Sequence, residues 1–378
     1  MEAVRVFIKI VYKGCMLTIL GLFSLPIYSQ ITHHSSKTLE FITLFSNKDS
    51  NSVACYRIPA LAMAPNGDLL AVADQRIPSC ADLNRNTDIN LVLRRSHDGG
   101  KTWMPMETLV DYPLGQSASD ASFVVDTATG TIWLFFNYMD HAQAPQVYHH
   151  KVMASQDNGK NWDAPQDITA QICKPEWIND FKFITSGKGW QTKDGSLLHT
   201  LVHLNLGVFV FGSSDHGKSW FILDKPLQPA DESKIIELAD GRWMVNSRVN
   251  NKGFRYVHVS DNKGINWATF ADTALHDPGC NASIVRHTTS NGHKSDKLFF
   301  VNIHNQTFRK NLAISVSGDE GKTWTQSKTI YSGNAAYNDA CVLPRGELGV
   351  LFEKDDYVDI SFVRLSIEWI SETNKAKD

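Results

Sequence analysis

Nine side chains in this 378-residue sequence have the types that could bind and process a small acidic molecule: Arg57, Arg76, Arg248 and Arg309, the carboxyls of Asp82, Asp120, Glu232 and Glu353, and the hydroxyl of Tyr337. Arginine presents a planar fork that fits a carboxylate through two parallel hydrogen bonds. Arg57, Arg248 and Arg309 are far apart in sequence, and around one point they would suit a ligand with a fixed carboxylate. Asp82 lies on a polar loop where a mobile acid could sit, and Glu232 with Tyr337 forms a candidate carboxylate–hydroxyl pair. Any one of these alone carries little information, since surface arginines are common. Their meaning depends on whether the fold gathers them.

The elements that would position them are announced by a repeat. The sequence reads S-H-D-G-G-K-T-W from Ser96 to Trp103, S-Q-D-N-G-K-N-W from Ser155 to Trp162 and S-S-D-H-G-K-S-W from Ser213 to Trp220. It continues with S-D-N-K-G-I-N-W from Ser260 to Trp267 and S-G-D-E-G-K-T-W from Ser317 to Trp324. An Asp or Asn carbonyl oxygen accepts from backbone N–H groups just ahead of it and closes a turn. The glycine two residues later supplies a positive φ, and the tryptophan re-enters a strand as an apolar anchor. Asn262 stands where the other four copies have Asp, and it can close the same turn. These boxes are expected to hold the fold and to touch no substrate. A period near ~50 residues signals a propeller or solenoid.

A polar turn followed by an apolar strand precedes each box, as at Asn66-Gly67-Asp68 before Leu69–Ala73 and Asp240-Gly241 before Trp243–Asn246. A sixth such strand, Leu348–Phe352, has no box after it. Each unit reads as four strands, with first strands at Ile58–Met63, Ala121–Val125, Phe181–Ser186, Lys234–Leu238, Ala282–Arg286 and Ala340–Leu343. The early strand Leu39–Leu44 is expected to serve as the outer strand of the sixth unit, whose third strand is Ile360–Ile367. The fold class expected is all-β, a six-bladed β-propeller of four-stranded antiparallel blades. In such a blade the start of the first strand and the loop between the second and third share one end, and the boxes lie at the other. All nine candidate residues map to the first end. Asp88 competes with Asp82 but opens a third strand, and Glu237 competes with Glu232 but lies at the box end. Arg94 and Arg95 read as strand residues. Trp177 and Trp190 are expected to be buried in the third unit rather than to line an outer subsite.

With Y-R-I-P at 56–59, five boxes and the late Arg309 and Tyr337, the chain resembles the exo-α-sialidase (neuraminidase) family in its bacterial style, over nearly all of the mature sequence. The resemblance implies that Arg57, Arg248 and Arg309 bind the sialic acid carboxylate and that Glu353 holds Arg57. It implies Asp82 as acid/base, Tyr337 as nucleophile and Glu232 as the base that activates it, with Arg76 and Asp120 near O4 of the sugar. The chemistry agrees with these roles. The anomeric carbon of a sialic acid carries the carboxylate, so an anionic nucleophile would meet that charge, whereas a neutral tyrosine deprotonated as it attacks avoids it. Tyrosine nucleophiles are a known exception to the two-carboxylate rule of glycosidases. The function this implies is hydrolysis of terminal α-linked sialic acids from glycoproteins, glycolipids and oligosaccharides, with retention. A related 2-keto-3-deoxy acid (Kdn or Kdo) is an alternative substrate, and a non-catalytic sialoglycan-binding propeller is an alternative function. The linkage preferred, and hydrolysis against transfer or an anhydro product, are not encoded in these motifs.

The remaining features bound this reading. With 42% hydrophobic and 20% charged residues the composition is that of a globular protein, and a net charge of −3 gives no sign of a nucleic-acid partner. Arg5, Lys9 and Lys13 followed by an apolar run from Met16 to Ile27 read as a signal peptide over residues 1–29, leaving 30–378 as one catalytic domain. The mature protein is expected to be secreted or periplasmic, monomeric and not inserted in a membrane. The context of Cys15 disfavours a lipid anchor. Cleavage leaves five cysteines, Cys55, Cys80, Cys173, Cys280 and Cys341, hence at least one unpaired, with Cys55–Cys80 one pairing among those open. No Cys/His spacing resembles a zinc site, no cofactor is expected, and the adjacent His149 and His150 read as strand residues facing opposite sides.

Overall fold

The computed structural model describes residues 38–288 and 294–372; the expected signal peptide lies outside them. The described chain is all-β, with five sheets. The first has four antiparallel strands, Cys55–Met63, Leu69–Arg76, Ile89–Ser96 and Glu107–Val110. Its register sets the two ends: Cys55 pairs with Arg76 and Arg76 with Ile89, while Met63 pairs with Leu69 and Leu69 with Ser96. Arg57 and Arg76 thus sit at one end of the sheet and the Ser96 box at the other. In the sheet built on Ser233–Glu237, Ser233 pairs with Ser247 at one end, and Glu237 pairs with Trp243, which pairs with Ser260, at the other.

The third unit departs from a single expected strand over Phe181–Ser186. Lys182–Ile184 pairs within its own sheet, Gly187–Lys188 pairs parallel with Ser122–Phe123 of the neighbouring sheet, and Trp190–Gln191 returns. Gly187 makes the switch at φ +98°, a left-handed conformation that suits glycine. The expected fifth and sixth units share the 15-residue strand Lys328–Val342, so their strands form one seven-stranded sheet. Phe41–Ser46 is its outermost strand, antiparallel to Asp359–Leu365. That last strand ends at Leu365 rather than Ile367, because the Ser366 side chain accepts from Trp369 N and caps a short helix, Ile367–Ser371.

The core is divided into clusters that each join two consecutive units. Leu70 and Val72 pack with Phe123 and Leu134, and Val124 and Phe135 with Leu197 and Phe211. Val210 meets Val245, Met244 meets Phe300, and Val301 meets Val350. Leu351 and Phe362 of the last unit pack with Leu61 and Leu69 of the first.

The boxes stand at these seams. Asp98 Oδ1 accepts from Lys101 N and Thr102 N at 2.9 Å, and Gly100 N donates to Ser96 Oγ at 2.8 Å. A Cβ on Gly100, at φ +85°, would lie 2.3 Å from the Phe362 ring, so backbone conformation and close approach to the neighbouring sheet both demand glycine. Asn262 closes its turn like the aspartates, accepting from Asn266 N at 2.9 Å. Trp103 packs edge-on against Phe362, and Trp220 against Phe135 and Trp133. A disulfide joins Cys55 and Cys80; Cys173, Cys280 and Cys341 are free. His150 is buried on Asn137, while His149 meets Asp167 on the other side of the strand.

Candidate active site

Three first strands are broken by a bulge at the end away from the boxes, between Arg57 and Ala60, Ser119 and Ser122, and Ala335 and Asn338. Bulges re-aim side chains, and these occur where Arg57, Asp120 and Tyr337 sit. Ile58 has φ 58° and Asp120 φ 63°. A left-handed β-branched residue is a genuine outlier, of order 1–3 kcal/mol in cost, that persists only where its surroundings fix it. Here Ile58 N donates to Glu353 Oε1 at 2.9 Å.

Glu353 is the anchor. It is fully buried; Oε1 accepts from Arg57 Nε at 2.6 Å, and Oε2 accepts from Tyr337 N at 3.0 Å. One carboxylate thus holds an arginine of the first unit beside the tyrosine of the last. The Tyr337 hydroxyl donates to Glu232 Oε2 at 2.6 Å and accepts from Arg248 Nη1 at 2.9 Å. Arg248 also pairs with Glu232. The guanidinium carbons of Arg57 and Arg309 lie 5.7 Å and 5.3 Å from the Tyr337 ring centre. The three arginines therefore surround one phenol. Burial and the Glu232 carboxylate push that phenol well above its ordinary pKa, against the pull of Arg248 and Arg309, so Tyr337 is neutral in this arrangement.

A second cluster flanks it. Arg76 is buried; Nη2 reaches Asp74 Oδ2 at 3.0 Å and Nη1 reaches Asp82 Oδ1 at 2.7 Å. Asp74 also accepts from Ser119 Oγ and from Asp120 N. Asp120 accepts from Asn137 Nδ2 at 3.1 Å, and burial followed by the Asp74 charge raises its pKa. The Asp82 side chain is 70% exposed, on the rim. Partial burial would raise its pKa, but the Arg76 guanidinium outweighs it and holds Asp82 ionised. Two residues before Asp82, the Cys80 bridge ties this loop to the strand carrying Arg57.

The competing positions lie elsewhere. Asp88 responds to its own burial and to Asp111 rather than to any site arginine. Glu237, at the box end, accepts from Lys193 N. Arg95 donates to Asn158 O and Gly159 O of the next box. Trp177 is buried against Phe209, and Trp190 packs into the clusters on both sides of the fourth unit. Three residues of the site escaped the sequence reading. Asp74 was signalled by its i, i+2 spacing to Arg76, which puts both on one face of a strand. Tyr148 is buried, its hydroxyl without a hydrogen-bond partner among the described residues, and the charges of Asp120 and Asp82 act on it. Tyr357 lies under Arg57, its ring centre 4.0 Å from the guanidinium carbon, and nothing in its sequence context marks it. Among the described residues no cluster of His, Cys, Asp and Glu is arranged to hold a metal ion.

A family model described as "BNR repeat-like domain" matches residues 67–350. The sialidase of Micromonospora viridifaciens is 33% identical over 83% of this chain and 52% of its own length. That of Bacteroides fragilis is 30% identical over 81% of this chain and 61% of its own length. The chain thus spans about half to three fifths of these curated relatives. Among solved structures, the Hadza microbial sialidase Hz136 superposes with a TM-score of 0.76 at 26% identity, covering 84% of this chain and 67% of the other. The intramolecular trans-sialidase of Ruminococcus gnavus shares the fold, with a TM-score of 0.74 at 17% identity over 87% of this chain and 98% of the other. By the family match the chain belongs to the BNR repeat-like family, and the relatives it resembles are sialidases.

Proposed function

We propose that the protein is an exo-α-sialidase that removes terminal α-linked sialic acids from glycoproteins, glycolipids and oligosaccharides, with retention of configuration. The observation that carries this is the ring of Arg57, Arg248 and Arg309 around the hydrogen-bonded Tyr337–Glu232 pair. The arginines receive the substrate carboxylate. The Tyr337 oxygen attacks the anomeric carbon while its proton passes to Glu232 across the 2.6 Å hydrogen bond. The bond to the aglycone breaks, and the leaving oxygen takes a proton from Asp82. For this Asp82 must turn off Arg76, and loss of that partner lets its pKa rise into an acid's working range. Water then attacks the glycosyl–tyrosine and loses its proton to Asp82, and Tyr337 leaves with the proton held by Glu232. Arg76 and Asp120 line the flank near O4.

The scaffold we propose is a six-bladed propeller, the seven-stranded sheet being two blades fused through Lys328–Val342. The six seam clusters, one of them between the last unit and the first, support a closed ring. Residues 30–378 would be the mature, monomeric domain, exported with removal of residues 1–29. No helix among the described residues is long and apolar enough to cross a membrane.

The test is direct. Proton NMR should show the α anomer of the released sugar first, and a 3-fluoro sialosyl fluoride should leave its mass on the peptide containing Tyr337. First release of the β anomer would overturn the double displacement. Fluorogenic Neu5Ac, Kdn and Kdo glycosides assayed side by side fix the sugar.

A further inference from the structure

The geometry points to Tyr357 as a positioning residue that holds two of the three arginines, Arg57 and Arg309, in the orientation that receives a carboxylate. This rests on the proposed carboxylate clamp and extends it by one residue outside its arginines.

Tyr357 closes the hairpin between Leu348–Lys354 and Asp359–Leu365. Asp355, Asp356 and Tyr357 have φ of 53°, 55° and 69°, three consecutive left-handed residues with no glycine among them. Such a run persists only where other contacts fix it. Asp355 N donates to Asn334 O at 2.9 Å, Asn334 Nδ2 donates to Asp356 Oδ2 at 2.9 Å, and the Tyr331 hydroxyl donates to Asp355. Tyr331 and Asn334 lie on the strand that carries Tyr337. The turn is therefore strapped to the element that presents the phenol of the site.

What this turn delivers is one aromatic ring between two guanidinium groups. The Arg57 carbon lies 4.0 Å from the ring centre, a close cation–π distance. Arg309 Nη1 donates to the Tyr357 hydroxyl at 3.2 Å, and its Nη2 donates to Gly279 O at 3.1 Å. Arg57 reaches the ring from the first unit and Arg309 from the fifth, so Tyr357 references one arginine to the other across the site.

The chemistry of these contacts matters as much as their geometry. Among the described residues Arg309 forms no ion pair; both of its hydrogen-bond acceptors are neutral. Arg57 has one carboxylate, Glu353, on its Nε edge, and an aromatic face rather than a second anion above it. Tyr357 thus orders two cations without neutralising them. A carboxylate at its place would compete with the ligand, and an aliphatic residue would leave the guanidinium groups free to splay under mutual repulsion.

The experiment uses the full-length mature protein with Tyr357→Phe, which keeps the ring and removes the acceptor, and Tyr357→Leu, which removes both. Two probes are titrated by calorimetry: 2,3-didehydro-2-deoxy sialic acid, which carries the carboxylate, and its methyl ester, which does not. The readout is the ratio of the two affinities. Wild type should strongly prefer the acid. Tyr357→Phe should shrink that preference about 3–10-fold, the net worth of one ordinary hydrogen bond, and Tyr357→Leu by about 10–100-fold as the ring contact goes too. KM should rise with little change in kcat.

A merely structural role would lower the melting temperature or the active fraction and leave the ratio unchanged; an unchanged ratio in the folded variants overturns the proposal. Should Tyr357→Leu fail to fold, Tyr357→Phe decides alone. A wild type that binds acid and ester equally would remove the clamp itself, so the two failures are told apart.

Discussion

The two ends of the sheets use the same side-chain type in opposite ways. At the box end each aspartate is satisfied by its own turn. Asp98 accepts from backbone N–H groups three and four residues on, and Asp157, Asp215 and Asp319 accept from residues four on. At the other end Glu353 binds Arg57 across 296 positions, and Glu232 binds Tyr337 across 105. Of the box carboxylates Asp98 is exposed and Asp157, Asp215 and Asp319 are half-buried, whereas Glu353 and Glu232 are buried. A locally closed turn needs only its own residues and tolerates repetition. A buried carboxylate needs partners that only the packed sheets can bring, since leaving one unpaired is costly. The box end is closed turn by turn, whereas the opposite end holds buried charged groups paired across distant parts of the chain.

Substitutions should separate these two ends. The largest effect is expected at the phenol pair: Tyr337→Phe or Glu232→Gln should lower kcat/KM by about 10³–10⁴. The double mutant should be little worse than the poorer single, and a near-multiplicative loss in the double would show that the pair does not act as one unit. Trp220→Ala should do the reverse, costing about 3–5 kcal/mol of stability while surviving folded protein keeps its KM. A selective loss of substrate binding at unchanged melting temperature would break the division.

Asp82→Asn should come next, impairing natural glycosides about 10²-fold or more but nitrophenyl substrates far less, because a good leaving group needs no proton. Equal losses on both substrates would deny Asp82 the acid role.

A smaller effect sharpens the box side. Hydrogen bonds from Asn161, Ser219 and Thr323 lower the pKa values of Asp157, Asp215 and Asp319 to about 2. A depressed folded-state carboxyl contributes stability above its unfolded pKa near ~4, and that contribution is lost as the pH falls towards the folded value. Melting temperature should decline through this acid window, and Asp157→Asn should flatten the decline. The smallest effect is expected at the fourth box. Asn262→Asp should change neutral-pH stability by less than about 0.5 kcal/mol while adding an acid titration that the native turn lacks.

The asymmetry also explains what could be read beforehand. The boxes, the strand alternation and the two ends of each unit were legible because each depends on residues within a few positions of one another. The order of strands then sent Arg57, Arg248, Arg309, Glu232 and Tyr337 to a common end, although which oxygen meets which nitrogen was not legible. The strand break at Gly187 was hidden because its cause is a neighbouring sheet. Tyr357 was hidden because a D-D-Y hairpin has no local reason to be left-handed; its reason is the strand at Tyr331 and Asn334.

By itself the sequence determined the all-β class, the repeated turns and the end at which the candidate site residues gather, because local turn chemistry and two-residue periodicity act before any long-range contact forms. Only the tertiary structure decided the Cys55–Cys80 bridge, the shared strand Lys328–Val342, the ion pair that keeps Asp82 on Arg76, and the ring of Tyr357 between Arg57 and Arg309. Each of these joins groups whose proximity follows from how the sheets pack. Packing sums many weak contacts over the whole chain, so no short stretch of residues encodes it.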